Sequence, residues 1–171
     1  MNKRLTLSLV LASGLVLSAC SKKAPQILPP DPGGSATGQT TDDSGSTAVV
    51  PGSQADFVAQ LMGQDTILFD TDRYNIDATD QAALAAQAQW LVRYPAKRVS
   101  VEGHADERGT REYNLALGER RANAAKNYLV SLGVDPGRVT TVSHGKEKPL
   151  ALGSDEASWA QNRRSVTVTV D

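Results

Sequence analysis

Between Gly103 and Arg121 the chain sets carboxylates at Asp106, Glu107, Glu112 and Glu119 among guanidiniums at Arg108, Arg111, Arg120 and Arg121. A ligand that is itself zwitterionic suits such a mixture, its ammonium meeting a carboxylate and its carboxylate meeting an Arg fork. Nucleic acid suits it badly, because phosphates favour an unbroken basic patch. The plain alternative is a solvated loop and helix face carrying surface ion pairs of little energetic weight. A second acidic loop lies upstream, with Asp70 and Asp72 in Asp70-Thr71-Asp72-Arg73-Tyr74-Asn75.

Catalysis has weaker support. His104 and Asp106 are two apart beside Glu107, a spacing at which a metal site or a hydrolase can be imagined. No Cys or Ser nucleophile matches them, no HExxH occurs, and the second histidine, His144, is far along the chain. The expectation is a hydrogen-bonded loop histidine at 104, with no catalytic residue, no metal and no cofactor.

Helical spacing separates the two adjacent arginines. At 100° per residue from Leu115, the apolar stripe Gly118, Ala122, Ala125, Leu129 and Leu132 centres on about 300°. Arg121 falls at about 240°, at the edge of that stripe, and Arg120 at about 140°, on the wet side. Arg121 is therefore expected partly buried and in need of a carboxylate. We expect an Asp106–Arg121 pair that a zwitterion bridges.

These residues need elements to hold them. Ser53 caps a short helix carrying Phe57 and Leu61, which Gly63 ends. Thr66–Phe69 reads as a strand. Thr79 is a plausible cap for a helix to Tyr94, with Leu84, Ala88 and Leu91 on one face and Pro95 beyond. Arg98–Gly103 alternates as a half-buried strand. A helix follows from about Asn114 to Leu132, closed by Gly133. Val139–Ser143 is a third strand, a turn of helix is possible at Asp155–Ala160, and Ser165–Val170 is the last strand. The order (α)βαβαβ–β predicts an α+β, two-layer sandwich: a mixed four-stranded sheet with helices on one face. The loops leaving the first two strands should then emerge on one rim, where ligands of open sheets bind. Gly103 and Gly109 would allow close approach and tight turning there.

Upstream of this domain (residues 53–171) the chain changes character. Residues 1–19 read as a signal segment: Lys3 and Arg4, then an apolar run too short and too broken for a comfortable membrane span. It ends Leu17-Ser18-Ala19-Cys20, which resembles a bacterial lipobox, and Cys20 is the only cysteine. The lipobox implies a diacylglycerol on the Cys20 thiol and acylation of the new amino group, enough for stable anchoring. Ser21, where an Asp would mean retention at the inner membrane, implies an outer-membrane address with the domain in the periplasm. Residues 20–52 continue as a Pro-, Gly-, Ser-, Thr- and Asp-rich tether without apolar periodicity. As a coil that tether spans about 30 Å, and at most about 110 Å. The formal net charge of −1 argues against nucleic acid and against a polybasic membrane patch.

The motif Gly103-His104-Ala105-Asp106-Glu107-Arg108-Gly109-Thr110, with Tyr113-Asn114, Leu117-Gly118, Arg120-Arg121-Ala122 and Asn162-Arg163-Arg164, closely resembles the OmpA-like peptidoglycan-binding domains. The resemblance runs from about Phe57 to the C-terminus. It implies noncovalent binding of the stem peptide bearing meso-diaminopimelate, whose side chain ends in an amino acid head. It implies Asp106 and Arg121 as the key ligands, with further contacts from Phe69, Asp70, Thr71, Asp72, Arg108 and Leu117. Thr71 stands where relatives often carry Phe; His104 and Ala105 stand where some carry Asn and Thr. The resemblance also implies an outer-membrane lipoprotein that ties membrane to wall and binds TolB of the Tol system, with a part in envelope integrity and constriction at division. An adaptor lipoprotein that binds only periplasmic proteins is the alternative.

Overall fold

The structure is a computed structural model, and it describes residues 49–170. The signal segment, Cys20 and most of the tether lie outside the described residues.

Four helices and four strands follow in the order α1 (Gln54–Leu61), β1 (Thr66–Leu68), α2 (Ala78–Arg93), β2 (Arg98–His104), α3 (Arg111–Ser131), β3 (Val139–Gly145), α4 (Glu156–Asn162) and β4 (Arg164–Val170), with a 3-10 turn at Pro136–Arg138. The sheet order is β1-β4-β2-β3. Strand β4 is antiparallel to both β1 and β2, and β2 is parallel to β3. The mixed four-stranded α+β sandwich is thus as expected. Strands β1 and β2 run the same way although β4 lies between them, so the loops that leave them share one rim.

Local chemistry sets the boundaries. Ser53 Oγ accepts from Asp56 N and caps α1. Just before it Gly52 is buried, and its N–H donates to Asp56 Oδ2 at 2.9 Å. The cap of α2 is Asp77 and not Thr79. Asp77 and Asp80 exchange backbone and side-chain bonds in a capping box, which starts the helix two residues sooner. Helix α3 begins at Arg111, ahead of the expected Asn114, because Thr110 accepts from Tyr113 N.

The core lies between the sheet and α1–α3. Phe57, Leu84, Trp90, Leu91, Val99, Val101, Ala122, Ala125 and Leu129 are all buried there. Strand β4 inverts the usual order: Ser165 and Thr167 face the helices, paired across from Gly103 and Val101. Thr167 Oγ1 meets Gln87 Oε1 at 2.7 Å, and Gln87 Nε2 donates to the Gln64 carbonyl at 2.6 Å, so these buried polar groups satisfy one another.

Helix α3 sits unusually close to β2. A Cβ on Gly103 would lie 1.8 Å from the Gly118 carbonyl oxygen, and one on Gly118 would lie 2.5 Å from Ser143 Oγ. Only glycine at both positions permits this approach. It brings the first turns of α3 against the rim.

Candidate functional site

Two loops and one helix enclose the site. The loop after β1 turns where the Asp70 carbonyl accepts from Arg73 N, and Asp72 adopts a left-handed φ of 56°, which Asp tolerates better than most residues. The loop after β2 turns at Gly109, φ 85°. Asn114 holds it to the helix: its Nδ2 donates to the carbonyls of Arg108, at 2.7 Å, and Thr110, at 3.1 Å. Lys146 Nζ donates to the Glu107 and Gly109 carbonyls from the other side.

Between these loops lies a cavity of about 280 Å³, lined by Thr71, Asp72, Asp106, Arg108, Leu117 and Arg121 among others. Six of the eight binding residues expected from sequence thus converge. The other two stand behind Arg121. The Phe69 ring lies 5.1 Å from its guanidinium carbon, and the Asp70 carbonyl accepts from it.

Arg121 is fully buried, more so than the helical spacing predicts. The expected Asp106–Arg121 pair is not formed. Arg121 Nε donates to the Arg73 carbonyl at 2.9 Å, Nη1 to His104 at 2.7 Å and Nη2 to Asp70 at 3.1 Å. Three carbonyls satisfy the fork without a carboxylate, a solution that spacing along one helix cannot reveal because two of the three lie on the other loop. One N–H on each terminal nitrogen is left over from these bonds. Burial lowers the Arg121 pKa to about 10 against the opposing charge of Asp106, so the group is cationic at neutral pH.

Asp106 takes its partners elsewhere. Arg108 Nη2 reaches Oδ2 at 2.7 Å, Arg108 Nε reaches Oδ1 at 3.0 Å, and the Arg108 backbone N–H donates to the same Oδ1. Arg163 Nη1 lies 3.5 Å from Oδ2. Burial pushes the Asp106 carboxyl up, but the hydrogen bonds and charge of Arg108 outweigh it and hold the group below its ordinary value. Arg108 also stacks on Trp159, 4.3 Å from the ring centroid.

Two bridges close the loops over Arg121: the Tyr113 hydroxyl donates to Asp72 Oδ1 at 3.1 Å, and Arg108 Nη2 donates to Thr71 Oγ1 at 3.3 Å. Arg120, by contrast, is exposed on the outer side of α3, as its spacing requires.

Four contributors carried no assigned role in the sequence reading: Arg163, Asn114, Tyr113 and Trp159. Arg163 is buried and links three parts, donating to the Phe69 carbonyl and to Glu156 while facing Asp106. Arg163, Tyr113 and Asn114 belong to the motif blocks that carry the family resemblance, and that was their only signal. His104 also departs from expectation. It ends a strand, its Nδ1 has no hydrogen-bond partner among the described residues, and His144 is its neighbour, ring centroids 5.1 Å apart. The parallel pairing of β2 with β3 brings the two histidines together across the sequence.

Comparison with known proteins bears on the same residues. The model of the OmpA family matches residues 68–163. A peptidoglycan-associated lipoprotein of Rhizobium meliloti (strain 1021) is 50% identical over 94% of this chain and 85% of its own. The chain belongs to the OmpA family, among the peptidoglycan-associated lipoproteins. The protein of the same name from Agrobacterium fabrum is 56% identical over 72% of this chain and 69% of its own. The crystal structure of the peptidoglycan-associated lipoprotein from Burkholderia pseudomallei superposes with a TM-score of 0.60 at 50% identity, covering 61% of this chain and 89% of that one. The names of these relatives are those of a peptidoglycan-associated lipoprotein and not of an enzyme.

Proposed function

We propose that this protein binds the meso-diaminopimelate stem peptide of peptidoglycan noncovalently. The observation that carries the reading is one cavity lined by a carboxylate, Asp106, and a buried guanidinium, Arg121, with Leu117 as an apolar wall. The side-chain head of diaminopimelate offers an ammonium and a carboxylate at one carbon, which complements that pair. Asp106 shares its oxygens between Arg108 and the ligand ammonium; the two spare N–H groups of Arg121 take the carboxylate. Because Arg121 carries no exposed surface, the bridges from Asp72 to Tyr113 and from Thr71 to Arg108 part as the ligand seats. Thr71, Asp72 and Arg108 then contact it, while Phe69 and Asp70 hold Arg121 in place.

In the cell the domain is the wall-binding end of a tether. Residues 1–19 are removed, Cys20 is acylated and inserted in the outer membrane, and residues 20–52 span to the domain at 53–171 in the periplasm. Among the described residues no helix is long and apolar enough to cross a membrane. Membership among the peptidoglycan-associated lipoproteins supports TolB and the Tol system as partners, and a role in envelope integrity and outer-membrane constriction during division.

Calorimetric titration of the full chain with a defined muropeptide tests the reading. Diaminopimelate peptide should bind one to one, and the lysine counterpart, which lacks the second carboxylate, should bind poorly. Equal binding of the two would remove the zwitterion argument. Failure of purified, protein-free sacculi to retain the protein would favour a purely protein-binding adaptor.

A further inference from the structure

The sheet face turned away from α1–α3 carries a group of side chains that the cavity does not use. Glu102 and His104 alternate with Gly103, whose backbone meets α3, and so point outward. The parallel register opposes Gly103 to Ser143 and His104 to Gly145, and this irregularity delivers His144 beside them. His144 Nε2 lies 3.0 Å from Glu102 Oε2, and His104 Nε2 lies 4.0 Å from that same oxygen. One ligating atom from each of the three residues lies within 4.8 Å of the other two.

Ligands held at 2.0–2.1 Å around a tetrahedral ion stand about 3.3 Å apart. The three atoms straddle that spacing, so small side-chain rotations suffice to gather them. His104 is 3% exposed, and its Nδ1 has no hydrogen-bond partner among the described residues. Glu102 and His144 are partly exposed, leaving a path from solvent. A cation already stands at the spot: Lys148 Nζ lies 3.4 Å from His144 Nε2, on an exposed side chain free to withdraw.

We infer that Glu102, His104 and His144 form a binding site for a first-row divalent cation, zinc foremost, held by two imidazoles and one carboxylate with water completing its coordination. Imidazole donors select zinc and its late neighbours over magnesium and calcium. Lys148 and the buried Arg164 oppose a dication, so the site exchanges its ion, and the core on the opposite face folds without it. The ion would sit on the ring of the residue whose carbonyl holds Arg121.

The test uses the full chain with Cys20→Ala, so that no thiol competes, titrated with zinc alone against a chromophoric chelator and with cobalt as a spectroscopic substitute. The expected result is one equivalent of zinc, bound at least about tenfold more weakly by His144→Gln and by Glu102→Gln, and more tightly by Lys148→Gln. Cobalt should give the intense visible absorption of a low-coordinate site in the wild type and not in His144→Gln. Metal-free melting curves of both weakened variants, each altered on the open face, should match the wild type and so separate ligand loss from misfolding. Absence of saturable zinc uptake overturns the inference, as does uptake with unchanged affinity in both weakened variants.

Discussion

Asp106 makes its short ion pair with Arg108, at 2.7 Å, and leaves Arg121 to backbone carbonyls. The cation that competes for the carboxylate is thus partly exposed, whereas the cation that the proposed binding mode offers to a ligand is buried and held by three carbonyls. A ligand ammonium can displace or share with the former. Its carboxylate finds the latter already oriented, without the entropy of ordering a long side chain.

Asp106→Asn should cost about 2–5 kcal/mol of binding to diaminopimelate peptide, because it strands the ligand ammonium and unpairs Arg108 and Arg163. Arg120→Ala, one position from Arg121 but exposed, should cost less than about 1 kcal/mol. Calorimetry on the two variants checks the contrast; equal losses would mean that α3 presents the other arginine to the ligand.

Arg121→Ala is a folding variant as much as a binding one. It strands the carbonyls of Arg73, His104 and Asp70 and opens a void against Phe69. Urea denaturation should show a loss of about 3–5 kcal/mol. Arg121→Lys keeps the charge without the fork, and should retain more stability than binding. A fully stable Arg121→Ala would show that the three carbonyl bonds contribute nothing to the fold.

The pH profile of binding should be flat between about pH 5 and pH 9. Asp106 is held below the ordinary carboxyl value of 3.8 and Arg121 lies at about 10, so both keep their charges throughout. The sign follows from the lowered carboxyl: its contribution is intact above 3.8 and is lost as pH falls below that value and Asp106 takes a proton. Affinity measured across the range checks this; a step near the histidine value of 6.5 would implicate an imidazole in ligand binding.

Gly103→Ala should destabilise the domain by about 2 kcal/mol or more, since the added methyl meets backbone and no flexible side chain can yield. A thermal melt reports it. Binding should weaken as well, because α3 carries Arg121 and must shift outward. An unperturbed melting temperature would contradict the close packing of α3 on β2.

Cys20→Ser should abolish fatty-acid labelling and leave either a secreted, unanchored domain or an uncleaved precursor. Metabolic labelling in cells decides this, and label retained on the variant would defeat the lipobox reading.

Much of this protein is legible in one dimension. The strand and helix cores followed from periods of two and about 3.6, and Ser53, Pro95 and Gly109 acted where local chemistry places them. The opposite faces of Arg120 and Arg121 followed from helical geometry, and the convergence of the loops bearing Asp72 and Asp106 followed from strand direction. Caps were less secure: Asp77 prevailed over Thr79 because Asp80 reciprocates its bond.

What the sequence left open are partnerships between residues far apart along it. The carbonyls of Asp70 and Arg73 became the ligands of Arg121, and Arg163 arrived beside Asp106 from the junction of α4 and β4. His144 came to lie beside His104 through the register of β3. Backbone acceptors are the same at every residue and carry no type to read. Only the packing of one loop under another decides which of them a buried guanidinium meets, and only the pairing of strands decides which side chains share a face.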